Sequence, residues 1–457
     1  MNNGSTLAVR HYTLACSDCG REYDDDGLIL DCSAEHAPAL LRTQYNNTSF
    51  NPLPDEDGMF RYRQWLPVIR TQPNIGSTIV YRSCGLARML GLQNLWIAFN
   101  GFWPERGALF ETATFKELEA HTVLGRLPSS DVILTVASAG NTGAAFAWAC
   151  SQRYQPCLII VPGKALRRFR FRDSLHPAVN LVVIDDGDYP DAIELAAALS
   201  REPAFRSEGG VKNVGRRDGL ATVLLSAFEE MNQLPSHYFQ AVGSGTGAIA
   251  VLEAAKRVQQ TVSDAALPRL MLCQNLPFTP IFDAWRKQLK SPAGSAEKFR
   301  EDVGQVYADE LTNWAPPYAV KGGVRDSLVE SQGDVMAATN AEARLAVDMF
   351  YELEGIDIEP AAGVAVACLR KAAIQEKIDK EAVVLLNITG GGRLRLERDY
   401  PLVPVEPQLR LIRKSIAVDA VQQVTALLER LPIPDRKMQP RVSKVAAGYN
   451  LRIKPPN

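Results

Sequence analysis

The chain has 457 residues, of which 46% are hydrophobic and 22% charged, and its formal net charge is −2. That length exceeds one ordinary domain, and the near-neutral balance argues against nucleic acid or an anionic membrane surface as a partner. No apolar run approaches the roughly 20 residues of a membrane span. Met1–Tyr12 lacks the apolar core of a signal peptide, so a cytoplasmic protein is expected.

Residues 1–45 read as a small head carrying Cys16-x-x-Cys19 and then Cys32-x-x-x-His36. These four side chains have the chemistry of a tetrahedral zinc site, and a head without metal is the alternative. Residues 46–75 are rich in Pro and Asn and are expected to form a linker and loops rather than core. From about residue 76, short apolar runs alternate with helical segments. Strands are expected at 131–137 (DVILTVA), 156–161, 180–184, 239–242, 269–273 and 382–387, with helices at 144–150, 191–200 and 249–258. Apolar runs without period-2 alternation suit parallel strands covered on both faces, and their alternation with helices predicts an open α/β architecture. Cys150, Cys157, Cys273 and Cys368 fall in segments that read as buried, which fits reduced thiols better than a disulfide framework. The last 25 residues read as peripheral.

Four segments carry candidate chemistry. In Thr114-Phe-Lys-Glu117, Lys116 stands at a predicted helix start with Thr114 as the candidate N-cap. The helix dipole disfavours its protonated form, and burial would make it a better amine nucleophile. Taken alone, the segment also describes a solvated surface lysine, which is the commoner case. Ser138-Ala-Gly-Asn-Thr-Gly143 links a strand to a helix and could present backbone amides to a carboxylate, with Asn141 able to donate to a phenolate oxygen. Gly243-Ser-Gly-Thr-Gly247 again joins a strand to a helix. It matches neither the dinucleotide pattern nor a nucleotide P-loop, and it suits a single phosphate monoester. An ordinary strand-to-helix turn is the alternative for both loops. Thr389 follows the last strand and offers a hydroxyl where open α/β sheets place ligands. An amine, two glycine-rich anion cradles and a hydroxyl together meet the needs of a phosphate-bearing aldehyde cofactor.

The order TFKE, SAGNTG, GSGTG, TGGG resembles the fold-type II pyridoxal-phosphate (PLP) enzymes, the tryptophan synthase β-like group that includes threonine synthase and cysteine synthase. The resemblance implies a two-domain α/β fold with open, mostly parallel sheets and a zinc-ribbon-like head at 1–45. A large PLP-binding domain would comprise 46–128 and 214–457, and a smaller mobile domain 129–213, with the active site between them. It implies Lys116 as the Schiff-base lysine and Asn141 at the cofactor's 3′-oxygen. Gly243, Ser244, Gly245, Thr246 and Gly247 would hold the phosphate, and Thr389 would meet the pyridine nitrogen. Within the group the chain is similar to threonine synthases and, more closely, to cysteate synthases. The segments Glu354–Gly363, FKELEA, Gly215-Arg-Arg-Asp-Gly219 and Pro316–Gly323 carry that likeness. Cysteate synthases join O-phosphoserine to sulfite, giving cysteate and phosphate. On this resemblance the partners are a small amino-acid substrate and a small nucleophile, and the assembly is a homodimer. The substrate carboxylate is expected on Ser138, Ala139, Gly140 and Thr142. Arg216 and Arg217 are the preferred phosphate partners, ahead of Lys164, Arg167 and Arg168. The alternatives are a threonine synthase acting on O-phosphohomoserine and a PLP-fold binding or regulatory protein without turnover.

Overall fold

Successive residues of strand Val383–Ile388 leave the backbone in opposite directions, and both directions are apolar. Leu385 enters one hydrophobic core, while Val384, Leu386 and Ile388 enter another. A strand with no solvent face needs no polar alternation, which explains its sequence. In the computed structural model, which describes residues 10–128, 132–262, 265–413 and 419–430, this strand is central in a six-stranded sheet. The order across that sheet is Asp334–Ala338, Arg269–Asn275, His237–Ala241, Val383–Ile388, Asn94–Phe99 and Ile79–Arg82. All neighbours are parallel except the last pair. A second sheet is wholly parallel, in the order Phe205–Ser207, Ile133–Ala137, Cys157–Pro162, Val179–Ile184, Leu409–Leu411. Every strand read from the sequence is present within a few residues. The expected helices are present too, as Asn141–Arg153, Tyr189–Leu199 and Thr246–Thr261.

A chain of buried polar groups fixes the strand ends below the candidate site. Thr78 donates to Asn100 (2.7 Å), Asn100 to Asn387 (2.8 Å), Asn387 to the Tyr238 hydroxyl (2.7 Å), and that hydroxyl to Gln240 (2.7 Å). Each member is satisfied by the next, so the network locks register rather than weakening the core.

Three expectations need correction. Residues 46–75 are not merely linker: Gly58–Trp65 is a 3-10 helix, and Met59, Phe60, Trp65 and Leu66 are buried in the same core as Leu220 and Leu224. Helix Val214–Met231 is buried on nearly every side and requires that cover. The C-terminal region does not belong wholly with the large domain. Leu409–Leu411 extends the five-stranded sheet beside Val179–Ile184, and helix Ala420–Arg430 places Ala420 and Val424 in the core on that sheet. The apolar residues Leu409 and Leu411 find an uncovered parallel edge there. Finally, the lysine helix runs Lys116–Arg126 and its N-cap is Phe115 rather than Thr114. The expected peripheral tail at 433–457 lies outside the described residues.

The head, residues 10–45, is a three-stranded antiparallel sheet in the order Glu22–Tyr23, Tyr12–Cys16, Leu41–Tyr45. It is held to the lysine helix by a buried ion pair. Arg126, at the helix C-terminus, meets both oxygens of Asp25 (2.7 and 2.9 Å) and also donates to Asn213, the N-cap of helix Val214–Met231. The Asp25 carboxylate also accepts from Tyr12 (2.6 Å). Burial opposes ionisation of Asp25, but the bonds and charge of Arg126 outweigh it and hold the carboxyl below the usual range. A carboxyl held down in the folded state stabilises above its unfolded pKa, and that contribution is lost as pH falls through the folded value. The head contact should therefore weaken in acid. Arg126→Met should cost about 3 kcal/mol, the low end for breaking a buried pair, because Asp25 keeps only the Arg10 guanidinium at 3.4 Å as a counter-charge. Urea denaturation followed by tryptophan fluorescence measures this, and a loss under about 1 kcal/mol would place the pair among ordinary surface bridges.

Candidate active site

Three strands end at one place. Ile133–Ala137 runs into Ser138, His237–Ala241 leads to Gly243, and Val383–Ile388 runs into Thr389. Their carboxyl ends, drawn from both sheets, face a cavity of about 480 Å³. Lys116, the loop 138–142, the loop 243–247, Arg216 and Thr389 all line it. Segments separated by up to 273 residues in sequence thus meet where doubly wound sheets bind ligands.

Lys116 is the first residue of its helix, with about a fifth of its side chain exposed, at the cavity. Burial pushes its amine below the ordinary lysine range, the Glu119 carboxylate pulls it back up, and Arg216 pushes it down again. Its Nζ lies 3.3 Å from Glu119 Oε2.

The loop 243–247 opens helix Thr246–Thr261, and its glycines are required rather than incidental. Gly245 has φ +79°, and a Cβ there would meet Val324 at 2.5 Å. A Cβ on Gly247 would lie 2.5 Å from the Gln240 amide. The loop therefore brings bare backbone to the cavity at a helix N-terminus, which is the requirement for a phosphate. Ser244 and Thr246 add hydroxyls 2.8 Å apart.

The loop 138–142 is held by its own first residue. The buried Ser138 hydroxyl accepts from Gly140 N (3.0 Å) and Gly143 N (2.8 Å). Ser138 thus shapes the loop by accepting two bonds, and it also lines the cavity. Gly140, at φ +151°, packs against Arg168, whose Cδ would lie 2.6 Å from a Cβ there. Asn141 Nδ2 donates to Glu359 Oε2 at 2.8 Å. Burial, then the nearby Glu310, push the Glu359 carboxyl up to about 8, so the group is mostly neutral at pH 7.

The two arginines of Gly215-Arg-Arg-Asp-Gly219 separate. Arg216 lines the cavity, with Nη2 3.1 Å from Glu119 and Nε 3.3 Å from Glu208. Arg217 does not reach it. Its side chain is fully buried on the far side of the helix, where it pairs with Glu253 (3.1 Å) and donates to the carbonyls of Val211 and Leu41. Adjacent helical residues point about 100° apart, so a single motif cannot aim both at one ligand. Arg167 and Arg168 bind Asp309, and Arg168 also approaches Glu310, in the wall of the cavity; Lys164 lies by Asp188.

Sequence reasoning missed the acids: Glu119, Glu208, Glu310 and Glu359. Glu119 stands three residues after Lys116, a spacing that puts both on one helix face, and could have been flagged from that alone. Glu208 lies in a loop and Glu310 in the short 3-10 helix Asp309–Leu311, with no such signal in either. Away from the cavity, the ligand atoms of Cys16, Cys19, Cys32 and His36 all lie within 4.8 Å of one another, as a tetrahedral metal site requires.

The donor set fits pyridoxal phosphate: an amine with lowered proton affinity, a glycine cradle at a helix start, an amide and a strand-end hydroxyl. Comparison with known proteins agrees. Residues 71–390 match the family model described as pyridoxal-phosphate dependent enzyme. Among curated relatives, the cysteate synthase of Methanosarcina mazei is 39% identical over 416 residues, covering 90% of this chain and 99% of the relative. That of Methanosphaerula palustris is 43% identical over 405 residues, covering 88% and 94%. Among solved structures, maize serine racemase aligns over 70% of this chain and 91% of its own with a TM-score of 0.53 at 16% identity, which speaks to the fold alone. The processed threonine deaminase isoform 2 of Solanum lycopersicum also gives 0.53, at 14% identity, over 70% and 86%. The matched region contains every side chain that lines the strand ends of the cavity, and on that ground this chain belongs to the family of pyridoxal-phosphate dependent enzymes.

Proposed function

We propose that this enzyme makes cysteate from O-phosphoserine and sulfite, releasing phosphate. The observation that carries the reading is the meeting, in one cavity, of Lys116, the glycine-rich loop 243–247 at a helix start, and the loop 138–142 with the Arg216 guanidinium beside it. The cysteate synthases that align over nearly their whole length support it. In this reading Lys116 links to the cofactor, Asn141 meets its 3′-oxygen, residues 243–247 hold its phosphate and Thr389 meets its ring nitrogen. Bound there, pyridoxal phosphate supplies a conjugated acceptor for the electron pair left when a Cα proton is removed.

The chain's own residues then divide the work. The loop 139–142 binds the substrate carboxylate and so fixes Cα. Lys116 removes the Cα proton as general base. The Cβ–O bond breaks and phosphate leaves, the sulfur lone pair of sulfite forms the Cβ–S bond, and Lys116 returns the proton to Cα. Arg216 serves the anionic groups. Its ion pairs engage Nη2 and Nε, and we assign Nη1 to the leaving phosphate or the incoming sulfite. Arg217 takes no part. A structural zinc on Cys16, Cys19, Cys32 and His36 belongs to the proposal, supported by their mutual proximity. Homodimeric assembly rests on the family resemblance, and a cytoplasmic location on the reading of Cys150, Cys157, Cys273 and Cys368 as buried, reduced thiols.

With PLP and O-phosphoserine, the purified protein should change its visible spectrum and release phosphate, and cysteate should form only when sulfite is added. Turnover of O-phosphohomoserine to threonine with no response to O-phosphoserine would overturn the substrate assignment and leave the cofactor assignment intact. Arg216→Lys replaces a planar fork with a point charge that cannot hold two carboxylates and an anion together, so kcat/KM should drop about 10–100-fold. Steady-state kinetics at varied sulfite checks this, and an unchanged constant removes Arg216 from the anion site. Elemental analysis should find about one zinc per chain, lost in Cys19→Ser; an equal content in both proteins would place the metal elsewhere.

A further inference from the structure

Glu119 has no exposed side-chain surface, yet it is the carboxylate on which three separate elements converge. Oε2 lies 3.3 Å from Lys116 Nζ, on the same helix. Oε1 accepts from Thr142 Oγ1 at 2.9 Å, on the loop that follows a strand of the five-stranded sheet. The same Oε1 lies 3.1 Å from Arg216 Nη2, on helix Val214–Met231. Arg216 is held from its other edge by Glu208, whose Oε2 is 3.3 Å from Nε. The charged groups facing Lys116 are therefore Glu119 on its own helix, Arg216 on the neighbouring helix and Glu208 on the preceding loop, with the half-buried Tyr189 beside the same cluster.

A buried bridge can be purely structural, and two features set this one apart. First, Lys116 is not sealed: its amine remains at the cavity while its counter-charge is fully enclosed. A counter-charge shielded from water acts on the amine at low local dielectric and is not replaced by solvent when the amine moves. Second, the two carboxylate oxygens are divided, one toward the amine and one toward the substrate-binding elements. One group thus senses both the proton on Lys116 and the position of the loop.

We propose that Glu119 is a positioning residue of the reaction: Oε2 steadies the ammonium form that Lys116 adopts while it carries the Cα proton, and Oε1 ties Thr142 and Arg216 to that same point. This rests on the reading of Lys116 as cofactor lysine and general base. Burial and Arg216 both lower the proton affinity of Lys116, and Glu119 opposes them. Without that negative charge the amine holds its proton less well, while a Gln side chain still accepts from Thr142 and Arg216.

The test measures how fast apoprotein takes up PLP as a function of pH, followed by visible absorbance. Uptake requires the neutral amine, so the rising limb reports the proton affinity of Lys116. In Glu119→Gln the limb should move down by about one pH unit, with kcat for cysteate formation reduced about tenfold or more. Glu119→Asp, which keeps the charge, should return the limb toward that of the unaltered protein. Thr142→Val removes the hydroxyl tie to Glu119 and keeps the backbone amide that the loop offers the substrate carboxylate. It should raise the KM for O-phosphoserine about 3–10-fold with the limb unmoved. A limb that stays in place in a folded Glu119→Gln protein overturns the proposal, as does a Thr142→Val protein with unaltered KM. Should Glu119→Gln not fold, Thr142→Val still decides the matter through KM. Borohydride reduction of PLP-loaded protein followed by peptide mass mapping stands apart from these. Label on a lysine other than Lys116 defeats the underlying reading, whatever Glu119 does.

Discussion

Helix Val214–Met231 lies so close to the Lys116 helix that a methyl group at Gly219 would come within 2.3 Å of the Leu118 carbonyl oxygen. Gly215 is nearly as tight, 3.2 Å from the Val123 Cα. Most of the molecule is organised by that contact. It sets Arg216 beside Glu119 and Lys116 at the cavity. On the opposite side it sends Arg217 and Asp218 toward the head, where Asp218 accepts from Thr43 and Tyr45 at 2.7 Å each. Arg126 then closes the far end of the lysine helix onto Asp25. The head is therefore joined to the element that carries the amine at two places, and it is not an appended module.

The head also touches the cavity wall by a second route. Lys321 N donates to the Pro38 carbonyl and Leu40 N to the Lys321 carbonyl (3.0 Å each), and the segment just before Lys321 lines the cavity. Pro38 follows His36 by two residues. The head segment that follows His36 is thus joined by backbone hydrogen bonds to the segment that follows Pro317 of the cavity lining.

Inside the cavity the electrostatics are unusually balanced. Lys116 and Arg216 face Glu119 and Glu208, while Arg168 faces Asp309 and Glu310. Burying such groups costs several kcal/mol per ion unless each is paired, and apolar side chains would fill the space more cheaply. The arrangement makes sense when the ligands themselves bring and remove charge, as a phosphorylated amino acid and a sulfur oxyanion do. Glu359, pushed up to about 8, is the exception that stays mostly neutral, and it holds Asn141 without adding to the acidic load.

The local part of this protein was legible in its sequence. Strands such as 383–388 announce themselves because a chain covered on both faces must be apolar at every position, and glycine-rich strand-to-helix turns are visible because only glycine lets backbone approach a ligand so closely. Lys116, Asn141, Gly243–Gly247 and Thr389 were singled out as candidates by the order of their motifs and the family it resembles, since the Lys116 segment alone also describes a surface lysine, and all of them line one cavity. What the sequence could not carry was direction and partnership. Arg216 and Arg217 are adjacent and chemically identical, and only the packing of their helix sends one to the cavity and the other to Glu253. Gly58–Trp65 reads as loop because its proline- and asparagine-rich setting is irregular, yet it is core because a buried helix needed cover there. Leu409–Leu411, expected with the large domain in 214–457, became a strand because the five-stranded sheet left an edge for it. Glu119 and Glu208 are 89 positions apart and acquire a shared role only where folding brings both to one guanidinium. Periodicity and turn chemistry are properties of a few consecutive residues, so the sequence determined them. Ion pairs and facing directions depend on what stands opposite, so only the tertiary structure could decide them.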